Sequence, residues 1–331
     1  MSKLIYVPLE HIEGRYTVHM DRDITNYLED NGIEYLKILP TEKSADLPEG
    51  MFLNAAFTTR FKSMQMATIA ALYEQNQIDD GDVFFFSDLW FPGIESIAYM
   101  NYFHTLSLSY GRKKPRITGI IHAGSFTDTD FVRDMERWAK NFEDIVFDIS
   151  DKVFCASNFI RNDIIKKRIV DPNKLIVSGL PVDFSGLDKF KGLQKENIVV
   201  FNGRVCDEKQ PWLFDELEKK VKERGIDAKF IKTQEENLSK DAYYELLGRS
   251  KCTVSYALQE NFGFGIAEAS YLQSTPVVPN RLVYPELYDA KYLYDSFEES
   301  VDMVCEALTT DEKESISIDN ECLKVWFEGI K

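Results

Sequence analysis

The sequence has few of the residues that mark metal-binding, disulfide-linked or membrane-spanning proteins. It contains only five cysteines and four histidines in 331 residues. The cysteines are odd in number, widely spaced and without a C-x-x-C pair, so they predict reduced thiols rather than disulfides or a zinc site. The longest apolar runs, such as 83–86, are far shorter than the roughly 20 residues of a transmembrane helix. We therefore expect a globular protein.

The chain also lacks an excess of positive charge. Lys and Arg number 39 against 55 Asp and Glu, a formal net charge of −16. This balance argues against general coating of nucleic acid, although a local basic groove remains possible. The first ten residues lack the apolar stretch of a signal peptide, which predicts a cytoplasmic protein. The length predicts one or two domains.

Short apolar runs alternate with amphipathic stretches along the chain. In the first half the predicted strands are 4–7, 33–38, 82–87 and 117–121. Strands that alternate with helices predict a parallel, doubly wound α/β sheet with ligands at the carboxyl ends of its strands.

The second half repeats this pattern after a segment with a proline, glycines and mixed charges. We predict an N-terminal Rossmann-like domain over 1–182, a linker over 183–196 and a C-terminal Rossmann-like domain over 197–313. The last segment, about 314–331, contains an apolar helix with Trp326 that is suited to pack on the N-terminal domain.

The stretch 254–286 is the most informative part of the sequence. A short strand leads to Glu260, the turn N-F-G-F-G and a helix that contains Glu268 in its first turn. Glycines allow a ligand to approach the backbone closely, and the start of a helix favours phosphate. Carboxylates beside such an anion site are suited to accept hydrogen bonds from sugar hydroxyls. The stretch predicts a site for a sugar, a diphosphate and a ribose.

This stretch resembles the E-x(7)-E signature of retaining GT-B glycosyltransferases of the family 4 type. The two glutamates, Phe262-Gly263 and the strand T-P-V-V over 275–278 occur in the order typical of that family. The resemblance implies two Rossmann-like domains that face a cleft. It also implies a metal-independent hexosyl- or pentosyltransferase that uses a nucleotide-sugar, in the first place a UDP-sugar, as co-substrate and no cofactor.

The resemblance extends to the loop N-G-R-V-C-D-E-K over 202–209. Arg204 and Lys209 match the two basic positions that contact the donor diphosphate in the family, where cations stabilise the charge on the leaving group. It further implies that Glu268 accepts from the ribose and that Glu260 holds the donor sugar. The remaining expected donor contacts are backbone and glycine positions: Gly14, Gly203, Phe262, Gly263 and Phe264.

Residues after two strands of the first half complete the predicted site. Family members often place a histidine like His122 against the donor sugar, so His122 joins Glu260, Arg204 and Lys209 as a predicted catalytic residue. Asp88, Trp90 and Ser125 follow strand ends and are predicted acceptor contacts. In the loop after the first strand, family members often have a Gly-Gly pair, and this chain has only Gly14 there.

Two D-x-D strings, at Asp21 and Asp128, resemble a metal motif of a different glycosyltransferase fold. Chance matches are expected in so acidic a chain, and we predict that both are solvated and that no metal is bound. The other possible role for Asp128 is to line the acceptor side.

The compact N-terminal half also resembles glycosyltransferases of bacteriophages, some of which modify hydroxymethylated pyrimidines in DNA. Basic clusters at 112–116 and 166–168, and aromatic residues near loops (Trp90, Phe91 and Phe126), are candidate contacts for such an acceptor. In a phage the expected location is the host cytoplasm. The alternatives are a cell-surface glycan or small-molecule acceptor, or a catalytically silent nucleotide-sugar-binding protein.

Overall fold

The computed structural model describes residues 3–12, 16–40, 54–107, 114–130, 132–310, 314–318 and 321–329. The chain divides into two compact units. Unit 1 comprises Met1–Ala156, Ile160–Pro181 and Glu321–Lys331, and unit 2 comprises Ser157–Phe159 and Val182–Asn320.

Unit 1 contains a six-stranded sheet in which every pairing is parallel. Its strands are β1 (Leu4–Val7), β2 (Tyr35–Lys37), β3 (Val83–Phe86), β4 (Arg116–Ile121), β5 (Lys152–Cys155) and β6 (Leu175–Val177). Their order is β2-β1-β3-β4-β5-β6. Strands β1 and β3 are buried along their whole length, as expected for a sheet covered on both faces.

Unit 2 contains a five-stranded sheet, also parallel throughout. Its strands are β7 (Glu196–Phe201), β8 (Lys229–Lys232), β9 (Ser250–Val254), β10 (Thr275–Pro279) and β11 (Leu293–Tyr294), in the order β11-β10-β9-β7-β8. A core that includes Val199, Leu217, Val254 and Val304 joins this sheet to its helices. The two parallel sheets confirm the predicted fold class.

Helices lie between successive strands in both units, and two more follow the last strand. They are α1 (Tyr16–Asp30), α2 (Ala55–Glu74), α3 (Ile94–Ser107), α4 (Glu136–Ile149), α5 (Asn158–Lys167), α6 (Pro211–Glu223), α7 (Lys240–Arg249), α8 (Phe264–Tyr271), α9 (Tyr284–Leu287), α10 (Phe297–Thr309) and α11 (Cys322–Phe327).

The final helix packs within unit 1. Phe327 lies 4.8 Å from Phe85 between ring centroids, and Trp326 Nε1 donates to Ser178 Oγ at 2.8 Å. The helix is shorter than the segment 314–331. Residues 314–318 instead belong to unit 2, where the backbone amide of Ile316 donates to the carbonyl of Ser270.

Candidate functional site

A pocket lies at the carboxyl ends of β7 and β9, which are neighbours in the sheet of unit 2. Its lining includes Gly203, Lys209, Glu260, Gly263 and Gly265. Ligands of open parallel sheets bind beyond the carboxyl ends of the strands. The pocket is therefore the candidate site of this unit, and the fold brings the two predicted donor-binding stretches together in it.

Glu260 holds the glycine turn in shape. Its Oε1 accepts hydrogen bonds from the backbone amides of Asn261 (3.2 Å) and Gly263 (3.0 Å). Gly263 has φ +82°, a left-handed conformation that favours glycine, and helix α8 begins at the next residue. A Cβ on Gly265 would come within 3.1 Å of the side chain of Asn202. Because Gly263 and Gly265 have no side chains, the turn can bring the backbone at the start of α8 close to a ligand.

Lys209 supplies a largely buried cation to the same pocket. Its Nζ lies 3.1 Å from Glu260 Oε2 and also donates to the carbonyl of Gln259. The backbone amide of Leu258 donates to the carbonyl of Glu208 at 2.8 Å, which fixes the 202–209 loop against the 258–260 segment. The ammonium is therefore held in place before any ligand arrives, as electrostatic stabilisation of a developing anion requires.

Arg204 is the more exposed of the two cations. Its guanidinium contacts Glu208, four residues later in the same loop, and 41% of its side chain is accessible. Arginine presents a planar fork of donors that matches phosphate oxygens. Lys209 and the start of α8 give the pocket groups suited to bind phosphate, and Arg204 directly follows Gly203 of its lining.

Two tyrosines that the sequence interpretation missed orient Glu268. Tyr243 Oη donates to Glu268 Oε2 at 3.1 Å, and Tyr244 Oη donates to Oε1 at 3.0 Å. Burial and the nearby Glu268 carboxylate raise the pKa of Tyr243 well above its ordinary value, so its hydroxyl remains a donor. A carboxylate has about four acceptor positions, so Glu268 keeps capacity for further hydroxyls. The K-D-A-Y-Y sequence shows two adjacent tyrosines but not their common partner.

His122 lies at the carboxyl end of β4 in unit 1. Its Nε2 is 2.7 Å from the carbonyl of Ser87, which can only accept, so Nε2 carries the proton. The ring packs against Tyr16, with centroids 5.6 Å apart.

Asp88 follows the neighbouring strand β3 and is paired with Lys62 on helix α2. Lys62 Nζ donates to Asp88 Oδ2 at 2.8 Å and to the carbonyl of Trp90 at 2.6 Å. Burial alone would raise the pKa of Asp88, but the charges of Lys62 and His122 lower it below its usual value. Asp88 is thus an ionised carboxylate. Nothing in the local sequence indicated Lys62 as its partner.

Trp90 is half-buried in a small aromatic cluster. Its ring lies edge-on to Phe142 on α4 at 5.2 Å, and to Trp138 at 5.9 Å between centroids. Trp138 is 54% exposed. Phe91 and Phe126 are buried in the core, so of the three aromatic residues proposed to stack on a base only Trp90 has accessible surface.

Ser125 is not available to an acceptor in this structure. Its side chain is fully buried, its amide donates to Glu143 Oε1 at 2.6 Å, and its hydroxyl donates to Oε2 at 3.1 Å. Arg168 completes the cluster, with Nε 2.5 Å from Glu143 Oε2. The predicted acceptor contact is replaced by a structural role, because these bonds use both polar groups of Ser125 to fix the loop after β4.

The prediction that Asp21 is solvated is wrong. Asp21 is buried, and it accepts from Tyr6 Oη (2.9 Å) and Lys37 Nζ (2.7 Å) and lies 2.8 Å from His11 Nε2. Asp128, by contrast, is largely exposed, and its Oδ1 lies 2.9 Å from the ammonium of Lys167.

The basic clusters are only partly structural where they are described, because Lys114, Arg116 and Lys166 are exposed. Lys167 donates to the carbonyl of Phe126, and Arg168 is buried. Lys114 lies 3.6 Å from Asp151. Residues 112–113 and Gly14 lie outside the described part of the chain.

Within the described ranges, no group of three or more His, Cys, Asp and Glu side chains is arranged to hold a metal ion. Among the helices of these ranges, none has the length and apolar composition needed to cross a bilayer.

The two parallel sheets with their flanking helices define the GT-B glycosyltransferase fold. A glycosyltransferase from Rickettsia africae superposes with a TM-score of 0.62 and 13% identity, over 99% of this chain and 98% of that one. Anabaena HepE, solved with UDP and glucose, gives a TM-score of 0.55 and 11% identity, over 99% and 95%. At these identities the likeness concerns the fold alone.

No family model matches the sequence. One curated relative, the tRNA-queuosine alpha-mannosyltransferase of Drosophila melanogaster, is 30% identical over 101 residues, which are 30% of this chain and 26% of the relative. The match thus spans about a quarter of that protein's length.

Proposed function

We propose that this protein is a retaining glycosyltransferase that moves a sugar from a UDP-sugar to a hydroxyl of an acceptor. The observation that carries the proposal is the buried ammonium of Lys209, held beside the Glu260 turn at the start of α8. The GT-B fold and the presence of UDP and glucose in the HepE neighbour support a UDP-sugar donor.

In the proposed reaction the bond between the sugar C1 and the β-phosphate oxygen breaks, and UDP leaves with the electron pair. The acceptor oxygen forms a new bond to C1 on the same face, and its proton passes to a phosphate oxygen of the donor. Arg204 and Lys209 stabilise the charge that develops on the diphosphate. Glu268 accepts from the ribose hydroxyls and His122 contacts the donor sugar. No protein nucleophile and no metal are required.

We propose a nucleic-acid acceptor, in the first place a hydroxymethylated pyrimidine of phage DNA. The exposed edge of the Trp90 cluster and the name of the Drosophila relative, a tRNA-queuosine alpha-mannosyltransferase, support this class. That name also makes modified tRNA the second candidate. Lys167 and Arg168 are engaged inside the protein, whereas Lys114, Arg116 and Lys166 are exposed and available for phosphate contacts, so we expect transfer to DNA to fall as salt is added.

The test is a thermal-shift panel of nucleotide-sugars followed by transfer assays. A donor at 100 times its Kd should stabilise the protein by about 2.7 kcal/mol. Oligonucleotides with 5-hydroxymethylcytosine or 5-hydroxymethyluracil, total tRNA and simple glycans then serve as acceptors, with products identified by mass spectrometry. NMR of the product anomer distinguishes retention from inversion. Binding of a donor without hydrolysis or transfer would instead indicate a silent nucleotide-sugar-binding protein.

The two tyrosines around Glu268 give a further test of the donor site. Changing both Tyr243 and Tyr244 to Phe should weaken UDP binding by roughly tenfold, because each hydroxyl now bonded to a carboxylate is lost. The preference for UDP over 2′-deoxy- and 3′-deoxy-UDP should fall in parallel. Isothermal titration calorimetry measures both quantities. The exposed Tyr99→Phe is the matched control, and an unchanged preference in the double variant would contradict ribose binding by Glu268.

A further inference from the structure

Helices α2 and α3 are neighbours in unit 1. Tyr73 Oη of α2 donates to Asn101 Oδ1 of α3, and the two helices are in contact. Their inner sides lie in the core, where Ile69 and Ile97 are fully buried. Their outer sides are exposed and together form one surface of unit 1.

This surface has very few charged residues. The run 63–73 of α2 contains no Asp, Glu, Lys or Arg, and in α3 such a residue occurs only at Glu95. Charged residues make up 28% of the whole chain. The outer side of a helix at the surface normally carries charged and polar residues, and a helix without such a side is normally covered. The low charge of this surface therefore indicates a binding partner.

Three large aromatic side chains of α3 project from the same surface. Tyr99 is 65% exposed, Tyr102 62% and Phe103 49%. They share one side of the helix because they are three and four positions apart, and the rings of Tyr99 and Phe103 lie 4.8 Å apart between centroids. Large exposed apolar groups that lie together mark interaction surfaces, and aromatic residues are enriched at protein–protein interfaces.

Charges return only at the two ends of the outer side of α2. Arg60, Ser63, Ala67, Ala70 and Glu74 are all exposed, and their spacing of three or four places them in one stripe along the helix. The stripe begins with a cation and ends with an anion, about 21 Å apart along the helix axis. Ala67 is at its midpoint. The stripe and the three aromatic residues of α3 are named the α2–α3 face.

We propose that the α2–α3 face binds a second copy of this chain across a two-fold axis beside Ala67. When the two α2 helices cross antiparallel at this position, Arg60 of each copy lies opposite Glu74 of the other. A two-fold interface requires this reciprocity, because the same patch serves both partners. The methyl group of Ala67 lets the two helices approach closely at the axis. The aromatic residues of α3 lie beside the crossing and add apolar contact.

The charge of the chain favours a second copy over an anionic membrane surface. With a net charge of −16, two copies repel each other, so they can associate most easily through a surface that lacks this charge. A membrane surface that carries anionic lipids would repel the rest of the chain. Only an antiparallel copy also matches the cation and the anion at the ends of the stripe. This inference does not depend on the proposed sugar transfer.

The first arm of the test is sedimentation velocity of the whole protein in the micromolar range. The wild type should sediment as a species with twice the 38.3 kDa mass of one chain. Ala67→Glu brings two carboxylates together at the axis, so the Kd of the dimer should rise by about 100-fold or more. Ala290→Glu is the control, because it makes the same change at an exposed position of unit 2 and should leave the Kd unchanged.

The second arm exchanges the charges at the ends of the stripe. Arg60→Glu and Glu74→Arg each create two like-charge contacts in the dimer and should each raise its Kd by about tenfold. Glu74→Arg lowers the net negative charge, so general repulsion alone would tighten the dimer instead. The double variant restores opposite pairs and should return to within about threefold of the wild type. Within one chain the two positions are too far apart to compensate, because the screening length is about 8 Å.

Three results would overturn the proposal. The first is a wild type that stays monomeric, and the second is a dimer that persists in Ala67→Glu, which would place the interface elsewhere. The third is a double charge variant that dimerises more weakly than either single variant, because the antiparallel pairing would then be wrong. Flotation with vesicles of neutral phosphatidylcholine is the parallel measurement. A monomeric wild type that floats with these vesicles would assign the α2–α3 face to a membrane instead.

Discussion

Lys209→Met should lower the rate of sugar transfer by about 1,000-fold, or about 4 kcal/mol of transition-state stabilisation. The ammonium is largely buried and preoriented by Glu260 and the carbonyl of Gln259, so no other group can move into its place at low cost. The methionine keeps most of the aliphatic packing of the lysine stem and removes only the charge. The measurement is single-turnover transfer, or hydrolysis of the donor if no acceptor has been identified.

The comparison of kcat with UDP affinity separates transition-state from ground-state effects. A cation aimed at charge that develops as UDP leaves should affect kcat more than the Kd of UDP. Lys219→Met is the control, because Lys219 is exposed on α6 and pairs only loosely with Glu216. A loss of less than tenfold in kcat would exclude Lys209 from the transition state, even if UDP binding weakened.

The fold could be predicted well from the sequence because its signals are local. Runs such as 83–86 are apolar throughout, which is typical of strands buried on both faces, and they alternate with helices. The pocket of unit 2 was also predictable in outline, since the 202–209 loop and the 260–268 turn each follow a strand, and its role in donor binding stays a prediction. Both sets of residues line or border one pocket in unit 2.

The missed features all depend on contacts between distant parts of the chain. Ser125 follows a strand end and Asp21 is one acidic residue among many, so both were predicted to be accessible, yet they bond to Glu143 and Tyr6 in the interior. Lys62 and the Tyr243–Tyr244 pair lie on ordinary helices and acquire their roles only by packing. A single sequence contains the residue types but not these pairings, which is why the prediction that Ser125 and Asp21 are accessible was wrong.

Arg168→Met should destabilise unit 1 by about 3–5 kcal/mol, because it leaves the carboxylate of Glu143 buried without its cation. At roughly 2–4 °C per kcal/mol, the Tm of this unit should fall by about 10 °C. Differential scanning calorimetry gives the shift directly. Asp241→Asn is the control, since the exposed pair of Asp241 with Lys189 should contribute less than about 1 kcal/mol.

A double variant shows whether the stability of unit 1 requires the Glu143–Arg168 ion pair itself or is lowered only when one of the two charges is left unpaired. Glu143→Leu with Arg168→Met removes both charges, so it should recover much of the loss caused by Arg168→Met alone. Transfer activity should stay low in the double variant even if its Tm recovers. The reason is that Glu143 also holds the amide and hydroxyl of Ser125, and thereby the loop that continues from His122. Recovery of both stability and activity would mean that this buried cluster does not position the site, whereas recovery of stability alone would assign it that role.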